Sequence, residues 1–223
     1  MRDVIRQFKE RQIEIDNYFT LLENVMIKDA KFLFPDGSNV EVNLDLKHIL
    51  RANAFLLLYN LVESSISQAI EAIHIDISNK ENFDFDNLTQ SLKKEIIGFV
   101  KKGVSADDFV KSAGKISEYI LSYYPGKREI FSGNVDAKEI KKVGERYGFS
   151  CQTEEEKTQN GQRLLTVKTM RNDLAHGFIS FKDCGKDHPI EDIIETKRQV
   201  FAYLDQILKN IQEFVNKEEY KLI

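Results

Sequence analysis

Residues 49–70, ILRANAFLLLYNLVESSISQAI, form the most apolar stretch of the chain and decide its fold class. Apolar side chains recur every three or four positions from about Asp45 to Ile75, which is the period of an α-helix. A helix that is apolar over most of its circumference has to be covered by other elements. We therefore predict a central helix from about Asp45 to Ile75, around which the rest of the chain packs.

A narrow polar stripe runs along this apolar helix. At about 100° per residue, its members fall on one line with Glu63 beside it: Asn53, Asn60, Ser64, Ser67 and Glu71. Polar groups on a buried helix need hydrogen-bond partners. The stripe therefore faces water, or it lines a cleft or subunit contact in which Asn60 or Glu63 contacts a substrate or orients a catalytic group.

Helical patterns continue on both sides of the central helix. The opening segment, from Ile5 to Met26, has apolar residues at spacings of three and four and ends before Lys31. Further helices are predicted from near Asp86 to Lys102, over 105–124, from Asp136 with Gly148 just past its end, over 153–177 and over 189–215. The fold class is therefore all-α, a bundle of roughly six to eight helices.

One short segment near the N-terminus interrupts this helical pattern. The turn-forming residues Pro35-Asp36-Gly37-Ser38-Asn39 lie between two strand-like arms, which predicts a small β-hairpin within 31–44. No linker or repeat divides the chain. We predict a single domain over 1–223, with the first helix and hairpin in 1–44 and the helical core in 45–217.

The composition indicates where in the cell the protein is expected and whether it binds a membrane. The most apolar run is broken by Asn60 and is shorter than the roughly 20 residues that a membrane helix needs, so we expect no membrane partner. Cys151 and Cys184 lie far apart in a chain without a signal-peptide pattern, which favours free thiols in the cytoplasm.

The net charge of −4 gives no general attraction to nucleic acid, so any RNA would have to bind a local basic patch. Candidate patches are Lys93 with Lys94, Lys101 with Lys102, Lys127 with Arg128, and Lys138 with Lys141 and Lys142. The same pairs are also typical of the solvated faces of amphipathic helices.

The strongest functional pattern is MRNDLAHG, residues 170–177. Lys168, Asn172 and His176 follow one another at intervals of four and form one polar face, on which Asn172 is placed to hydrogen-bond His176. Arg171 lies at the border of this face and is expected to be half-buried. The apolar residues of the segment are expected to face the core: Leu164, Val167, Met170, Leu174 and Phe178.

These residue types suit the cleavage of RNA by its own 2′-hydroxyl. Histidine can take and give a proton near neutral pH, and the planar guanidinium matches a phosphate, so His176 and Arg171 need no metal for this reaction. The alternative is ordinary helix termination, with His176 near the unpaired carbonyls of the last turn and Gly177 ending the helix.

The helical geometry separates the two catalytic candidates. Arg171 and His176 lie about 140° apart around the helix and about 7.5 Å apart along it. They cannot form an adjacent pair, whereas in-line displacement needs groups on both sides of the phosphorus. We therefore predict a two-fold homodimer in which two motifs form one cleft.

Other candidate sites are weaker. Cys184 and His188 could be two metal ligands, but no second pair at zinc-like spacing exists. The favoured interpretation is that Cys184 is a free thiol in a loop and His188 an ordinary loop histidine. His48 and His74 lie near the ends of the central helix and are interpreted as capping or packing residues. The chain has no Walker loop and no G-x-S-x-G motif. We expect no metal and no cofactor.

RNDLAHG, after an apolar helical run, resembles the R-x(4–6)-H motif of the HEPN superfamily, in which Asn, Asp or His typically follows the arginine. The central helix and SGNVDAKEIKKVGERYGF, residues 132–149, resemble the MAE-like prokaryotic branch of that superfamily. The resemblance covers about residues 46 to 215. It implies a helical bundle that dimerises through the motif helices.

The resemblance also implies an activity. It is that of a metal-independent endoribonuclease of toxin–antitoxin or anti-phage systems, with an antitoxin or companion protein as a possible partner. By position, Arg171 and His176 would be the catalytic pair and Asn172 their polar support. Lys168, Glu63 and Asn60 are added here as substrate-binding candidates. The acidic net charge favours the alternative, a non-catalytic HEPN module that binds a nucleotide or another protein.

Overall fold

A computed structural model describes residues 1–80, 84–103, 105, 107, 131 and 134–222. Its elements are α1 (Arg2–Met26), β1 (Lys31–Leu33), β2 (Asn39–Glu41), α2 (Leu44–Ser78), α3 (Gln90–Gly103), α4 (Ala137–Tyr147), α5 (Glu155–Thr158), α6 (Gln162–Ala175), α7 (Phe181–Asp187) and α8 (Ile190–Asn216), with 3₁₀ turns at Phe85–Asn87 and Gln159–Gly161. The predicted all-α class with one small hairpin is confirmed. Among the described helices, none is both long and apolar enough to cross a membrane.

The hairpin forms where the turn residues predicted it. Strands β1 and β2 pair antiparallel, with Phe32 opposite Val40. Its turn is closed by the amide of Phe34, which donates to the carbonyl of Ser38 at 2.9 Å. Gly37 has a positive φ of 81°, a conformation that glycine adopts at little cost.

The contacts of the chain divide it into two compact units. The first unit comprises residues 1–5, 63–153 and 204–223, and the second unit comprises residues 6–62 and 154–203. The prediction that residues 1–223 form one domain stays a prediction.

In the first unit, a row of aromatic rings joins α4 to the C-terminal part of the chain. Phe149 lies between Tyr147 and Phe214, with ring centres at 6.5 and 6.3 Å, and Tyr220 follows at 6.0 Å from Phe214. His74 is buried and its Nε2 lies 2.9 Å from the hydroxyl of Tyr147, so it packs as predicted.

The ends of α4 follow the sequence signals. The Asp136 side chain accepts a hydrogen bond from the amide of Glu139, and Gly148 closes the helix with a φ of 98°. An aspartate before a helix satisfies one of the amides that lack a partner in the first turn, and glycine tolerates the left-handed conformation after the last. The predicted bounds of this helix are confirmed.

In the second unit, α1, α2, α6 and α8 supply the core. Its largest buried side chains include Phe8, Phe19 and Leu22 from α1, with Phe55, Leu58 and Tyr59 from α2. Helix α7 approaches the start of α2 so closely that a Cβ atom on Gly185 would lie 1.8 Å from the carbonyl oxygen of His48. His48 is buried there, in agreement with a packing role.

Two predicted helices have different bounds. The helix expected from Asp86 begins only at Gln90, because residues 85–87 form a separate 3₁₀ turn in which the amide of Asp86 donates to the Asp84 side chain. The helix expected over 153–177 is broken before Gln162, because Gln159, Asn160 and Gly161 all have positive φ angles, of 44°, 52° and 79°.

The structure corrects one further prediction, does not describe most residues of a second, and gives the exposure of the polar stripe for a third. Residues 181–187, which include the predicted loop residue Cys184, form the short helix α7, which the Ser180 side chain caps. The helix predicted over 105–124 lies almost entirely outside the described residues. In the polar stripe of α2, Asn60 is exposed and Ser67 is buried, so the stripe as a whole does not face water.

Candidate active site

Helix α6 carries the Arg-Asn…His motif in the second unit. Gly161 starts the helix in a left-handed conformation, and Leu164, Val167 and Leu174 are buried along one face. Three apolar side chains at helical spacing fix the rotation of the helix, because turning it would expose them to water. The motif therefore occupies a defined face of a packed helix.

Arg171 is partly buried, as predicted, and its guanidinium is held in a fixed orientation. Its Cζ lies 3.6 Å from the centre of the Tyr59 ring, and Tyr59 itself is only 1% exposed. Its Nη1 donates a hydrogen bond of 2.8 Å to Oδ1 of Asn172. Stacking on an aromatic face and a planar set of donors suit a guanidinium that receives a phosphate.

The partner of Asn172 differs from the prediction. We expected its side chain to orient the imidazole of His176, but Oδ1 accepts from Arg171 instead. The link between Asn172 and His176 is made by the backbone, where the amide of His176 donates to the carbonyl of Asn172 at 3.0 Å. Asn172 therefore supports the arginine of the motif.

His176 is the C-cap residue directly after α6 and is exposed. Its φ and ψ of −93° and −2° still follow the helix, and Gly177 then turns the chain with a φ of 70°. This ending fits both sequence interpretations, since it is an ordinary helix end and also presents an accessible imidazole. A general acid or base must be able to touch its substrate, and the exposure of His176 meets that requirement.

The neighbouring apolar position does not behave as predicted. Phe178 was expected in the core, yet its side chain is 79% exposed and its ring centre lies 5.7 Å from that of His176. The helical period ends at Gly177, so a pattern extended past this glycine no longer indicates which residues face inward. Met170, expected in the core as well, is partly buried.

The structure places the substrate-binding candidates on two helices. Lys168 is partly buried one turn before Asn172 on α6, and Asn60 is exposed on α2 directly after Tyr59. These residues share the second unit with Arg171 and His176. Glu63 is partly buried and belongs to the first unit, so its proximity to the motif stays a prediction.

A group of side chains around His188 supports α6. The Nε2 atom of His188 lies 3.3 Å from Sδ of Met170, and its ring packs edge-on against Phe55 at 4.8 Å between centres. Its Nδ1 lies 3.7 Å from Oδ2 of Asp192, which also pairs with Arg163 at 2.8 Å. His188 thus links α6 to α2 and α8, a role that sequence reasoning missed.

The prediction of two loop residues is confirmed for His188, which lies between α7 and α8, but is wrong for Cys184, which lies on α7. Cys184 is buried on α7 with its Sγ 3.9 Å from Sδ of Met170, and burial raises its pKa to about 11. A metal is bound by the thiolate, which such burial disfavours. Among the residues that the structure describes, no cluster of three or more His, Cys, Asp or Glu side chains is placed to hold a metal ion.

Tyr59 is the component of the site that sequence reasoning missed. It stands within the apolar run of α2 beside Asn60, and a tyrosine there is typical of any buried helix. Nothing in the local pattern pairs it with Arg171, because the contact joins two segments far apart in the chain. The one available signal was that Asn60, already a site candidate, is its neighbour.

Two of the predicted basic patches contain a lysine that forms an ion pair. Lys93 lies 3.7 Å from an Asp86 oxygen, and Lys142 lies 3.0 Å from a Glu139 oxygen. The pair at 127–128 lies outside the described residues. A role of these patches in RNA binding stays a prediction.

Comparison with known proteins gives one match. The model of the MAE_28990-like HEPN family matches residues 2–220, which is nearly the whole chain. No curated protein and no solved structure matches. The matched range includes α2, α6 and the complete Arg-Asn…His motif.

Proposed function

Because the chain belongs to the HEPN superfamily, in its MAE_28990-like branch, we propose that it is a metal-independent endoribonuclease that cleaves RNA through 2′-hydroxyl attack. One observation carries the proposal. Arg171 is stacked on Tyr59 and held by Asn172, while His176 is exposed at the end of the same helix. A fixed guanidinium and an accessible imidazole are the two groups that this reaction requires.

Each group has a definite role in the proposed reaction. The imidazole of His176 removes the proton of the 2′-hydroxyl or protonates the leaving 5′-oxygen. The guanidinium of Arg171 neutralises the charge that builds up on the pentacoordinate phosphorus. The 2′-oxygen forms a bond to phosphorus as the bond to the 5′-oxygen breaks, which leaves a 2′,3′-cyclic phosphate and a 5′-hydroxyl.

The test is RNA cleavage in the presence of EDTA. The wild-type protein should cut total RNA and leave cyclic phosphate ends, and both His176→Ala and Arg171→Ala should abolish cutting. Arg198→Ala is the matched control, because Arg198 is an exposed arginine that pairs with Glu195 on its own helix. It should cut like the wild type. The proposal is contradicted if both motif variants still cut RNA. It is also contradicted if the wild-type protein does not cut RNA.

We also place the active site between two copies of the chain. The predicted separation of Arg171 and His176 around α6 suits a two-fold arrangement in which Arg171 works with His176 of the partner subunit. Mixing Arg171→Ala with His176→Ala subunits then restores one intact site in each mixed dimer. With random exchange at equal amounts, activity should return to about a quarter of the wild-type value. Mixed dimers without activity would contradict a shared site.

The biological setting follows from the family rather than from the geometry. An RNA-cleaving member of this superfamily fits a toxin or anti-phage system, with an antitoxin or companion protein that restrains it. Expression of the wild-type chain should then arrest bacterial growth, whereas His176→Ala should not. If the protein cuts RNA in vitro but its expression does not slow growth, only the toxin role is contradicted.

A non-catalytic module is the second candidate function. The net charge of −4 favours it, since a protein that binds RNA freely usually carries a basic surface. Such a module would bind a nucleotide or a protein partner and leave RNA intact under every condition. The same cleavage assay distinguishes the two candidates.

A further inference from the structure

Helix α6 ends in a backbone arrangement that fixes the position of Phe178. The amide of Phe178 donates to the carbonyl of Asp173 at 2.8 Å, and the amide of Gly177 donates to that of Leu174 at 3.3 Å. With Gly177 at a φ of 70°, these two bonds form a Schellman motif. Phe178 is therefore part of a defined turn.

The side chain of Phe178 lacks the environment that this motif usually provides. In a Schellman motif the residue at this position frequently packs on an apolar side chain at the position that Asp173 occupies here. A carboxylate cannot offer that contact, and Phe178 stays 79% exposed. Its ring instead lies 5.7 Å from that of His176, at 34° between planes.

An exposed phenyl ring offers an apolar face, and a ligand that covers this face gains binding free energy. Between Gln162 and Pro189, all of which the structure describes, the exposed large apolar side chains are Leu165 and Phe178, and Leu165 lies in the first turn of α6, at the end opposite His176. A single aromatic ring beside an imidazole, on a segment that also carries the cations Lys168 and Arg171, fits a nucleobase with its phosphate.

We propose that Phe178 stacks on the nucleobase next to the cleaved phosphate, which requires that base to be unpaired. The inference rests on the proposed function, because it assigns the place beside His176 to RNA. A base in a duplex is stacked on its neighbours and its face is covered. Only a base in a loop, a bulge or a single strand can lie on the Phe178 ring.

The experiment measures binding with RNA that cannot be cut. A single-stranded 12-mer with 2′-O-methyl groups at every position keeps the bases and phosphates but blocks 2′-hydroxyl attack. Phe178→Ala should weaken its binding about 5- to 150-fold, the range expected for the loss of one stacked base. Phe178→Tyr keeps an aromatic face and should bind like the wild type. Phe178→Leu, apolar without that face, should resemble alanine.

Two further probes separate stacking from charge. An abasic strand of equal length keeps the phosphates, so Phe178→Ala should bind it as tightly as the wild type does. The 12-mer annealed to its complement should bind more weakly than the single strand. Equal losses on the normal and abasic strands, or wild-type binding by Phe178→Ala, would overturn the proposal.

Sedimentation of the same variants tests the competing role at a subunit contact. If Phe178→Ala changes the oligomeric state, the ring belongs to a protein interface and the stacking assignment is wrong. The outcomes also separate this inference from the nuclease itself. If the wild type cuts RNA but the Phe178 variants bind it equally well, only the stacking proposal is wrong. If binding depends on the bases and on Phe178 but no RNA is cut, only the nuclease proposal is wrong.

Discussion

The guanidinium carbon of Arg171 lies 3.6 Å above the ring of Tyr59, a buried tyrosine on a different helix. The contact links the motif helix to the central helix within one unit. It means that the motif arginine is oriented by the core before any substrate arrives. Preorganised charge of this kind stabilises a transition state without further rearrangement.

Replacement of Tyr59 should lower activity through Arg171. Tyr59→Leu removes the aromatic face, and the loss of about 0.5–2 kcal/mol of cation–π stabilisation should reduce kcat for RNA cleavage about 2- to 30-fold. Tyr59→Phe keeps the aromatic face and should have the kcat of the wild type. The measurement is single-turnover cleavage, with circular dichroism to verify that each variant is folded. An equal loss in both variants would assign Tyr59 a role through its hydroxyl instead.

The elements that sequence reasoning predicted well are those with a strong local period or a specific end signal. Helix α2 follows from its apolar repeat, and α4 follows from Asp136 and Gly148, whose roles at the helix ends are local. The hairpin follows from its turn residues. In each case the deciding interactions lie within a few residues of one another, so the pattern contains them.

The errors arose where the deciding interaction was not periodic. Gln159 and Asn160 adopt left-handed conformations without being glycines, so the break before α6 had only Gly161 as a signal. The stacking of Arg171 on Tyr59 joins distant segments, and the exposure of Phe178 depends on the turn at Gly177. Candidate residues of the site could be named from the motif, but their partners depend on tertiary packing.

Gly185 should be one of the most sensitive positions for stability. A Cβ atom there would lie 1.8 Å from the carbonyl oxygen of His48, so Gly185→Ala requires the backbone of α7 or α2 to move. We expect a loss of about 3 kcal/mol or more in the free energy of unfolding. Gly98→Ala is the control, because nothing lies within 4 Å of its Cβ position in α3. It should stabilise the protein by about 0.5–1 kcal/mol. Similar results for both variants in urea unfolding would contradict the packing of α7.

Tyr220 should contribute more to stability through its hydroxyl than Tyr18 does. The Tyr220 hydroxyl donates to a carboxylate oxygen of Asp76 at 2.7 Å, whereas that of Tyr18 donates to the neutral carbonyl of Leu50 at 2.5 Å. Burial raises the pKa of both phenols, so both stay donors at neutral pH.

Hydrogen bonds to a charged acceptor contribute about 1.5–3 kcal/mol and neutral ones about 0.5–1.5 kcal/mol. Tyr220→Phe should therefore lower the free energy of unfolding more than Tyr18→Phe in urea titrations at pH 7. The reverse order would show that the Asp76 contact does not hold the C-terminal segment in solution.

His74 should make the protein less stable as the pH falls. Burial lowers its pKa from 6.5 to about 4 in the folded state, while the unfolded chain keeps the ordinary value. The neutral ring, paired with the Tyr147 hydroxyl, thus favours folding fully above pH 6.5. Below that pH the unfolded state binds the proton more readily, so this contribution declines between pH 6.5 and 4 and is lost at about pH 4.

The size of the effect follows from the difference in pKa, which corresponds to about 3 kcal/mol. Other groups also titrate in this range, so the test compares the wild type with His74→Gln, which cannot take up a proton. From pH 7 to pH 4, the free energy of unfolding of the wild type should fall by about 3 kcal/mol more than that of the variant. Parallel pH profiles in urea unfolding would mean that water reaches the ring, because a hydrated imidazole would keep the same pKa in both states.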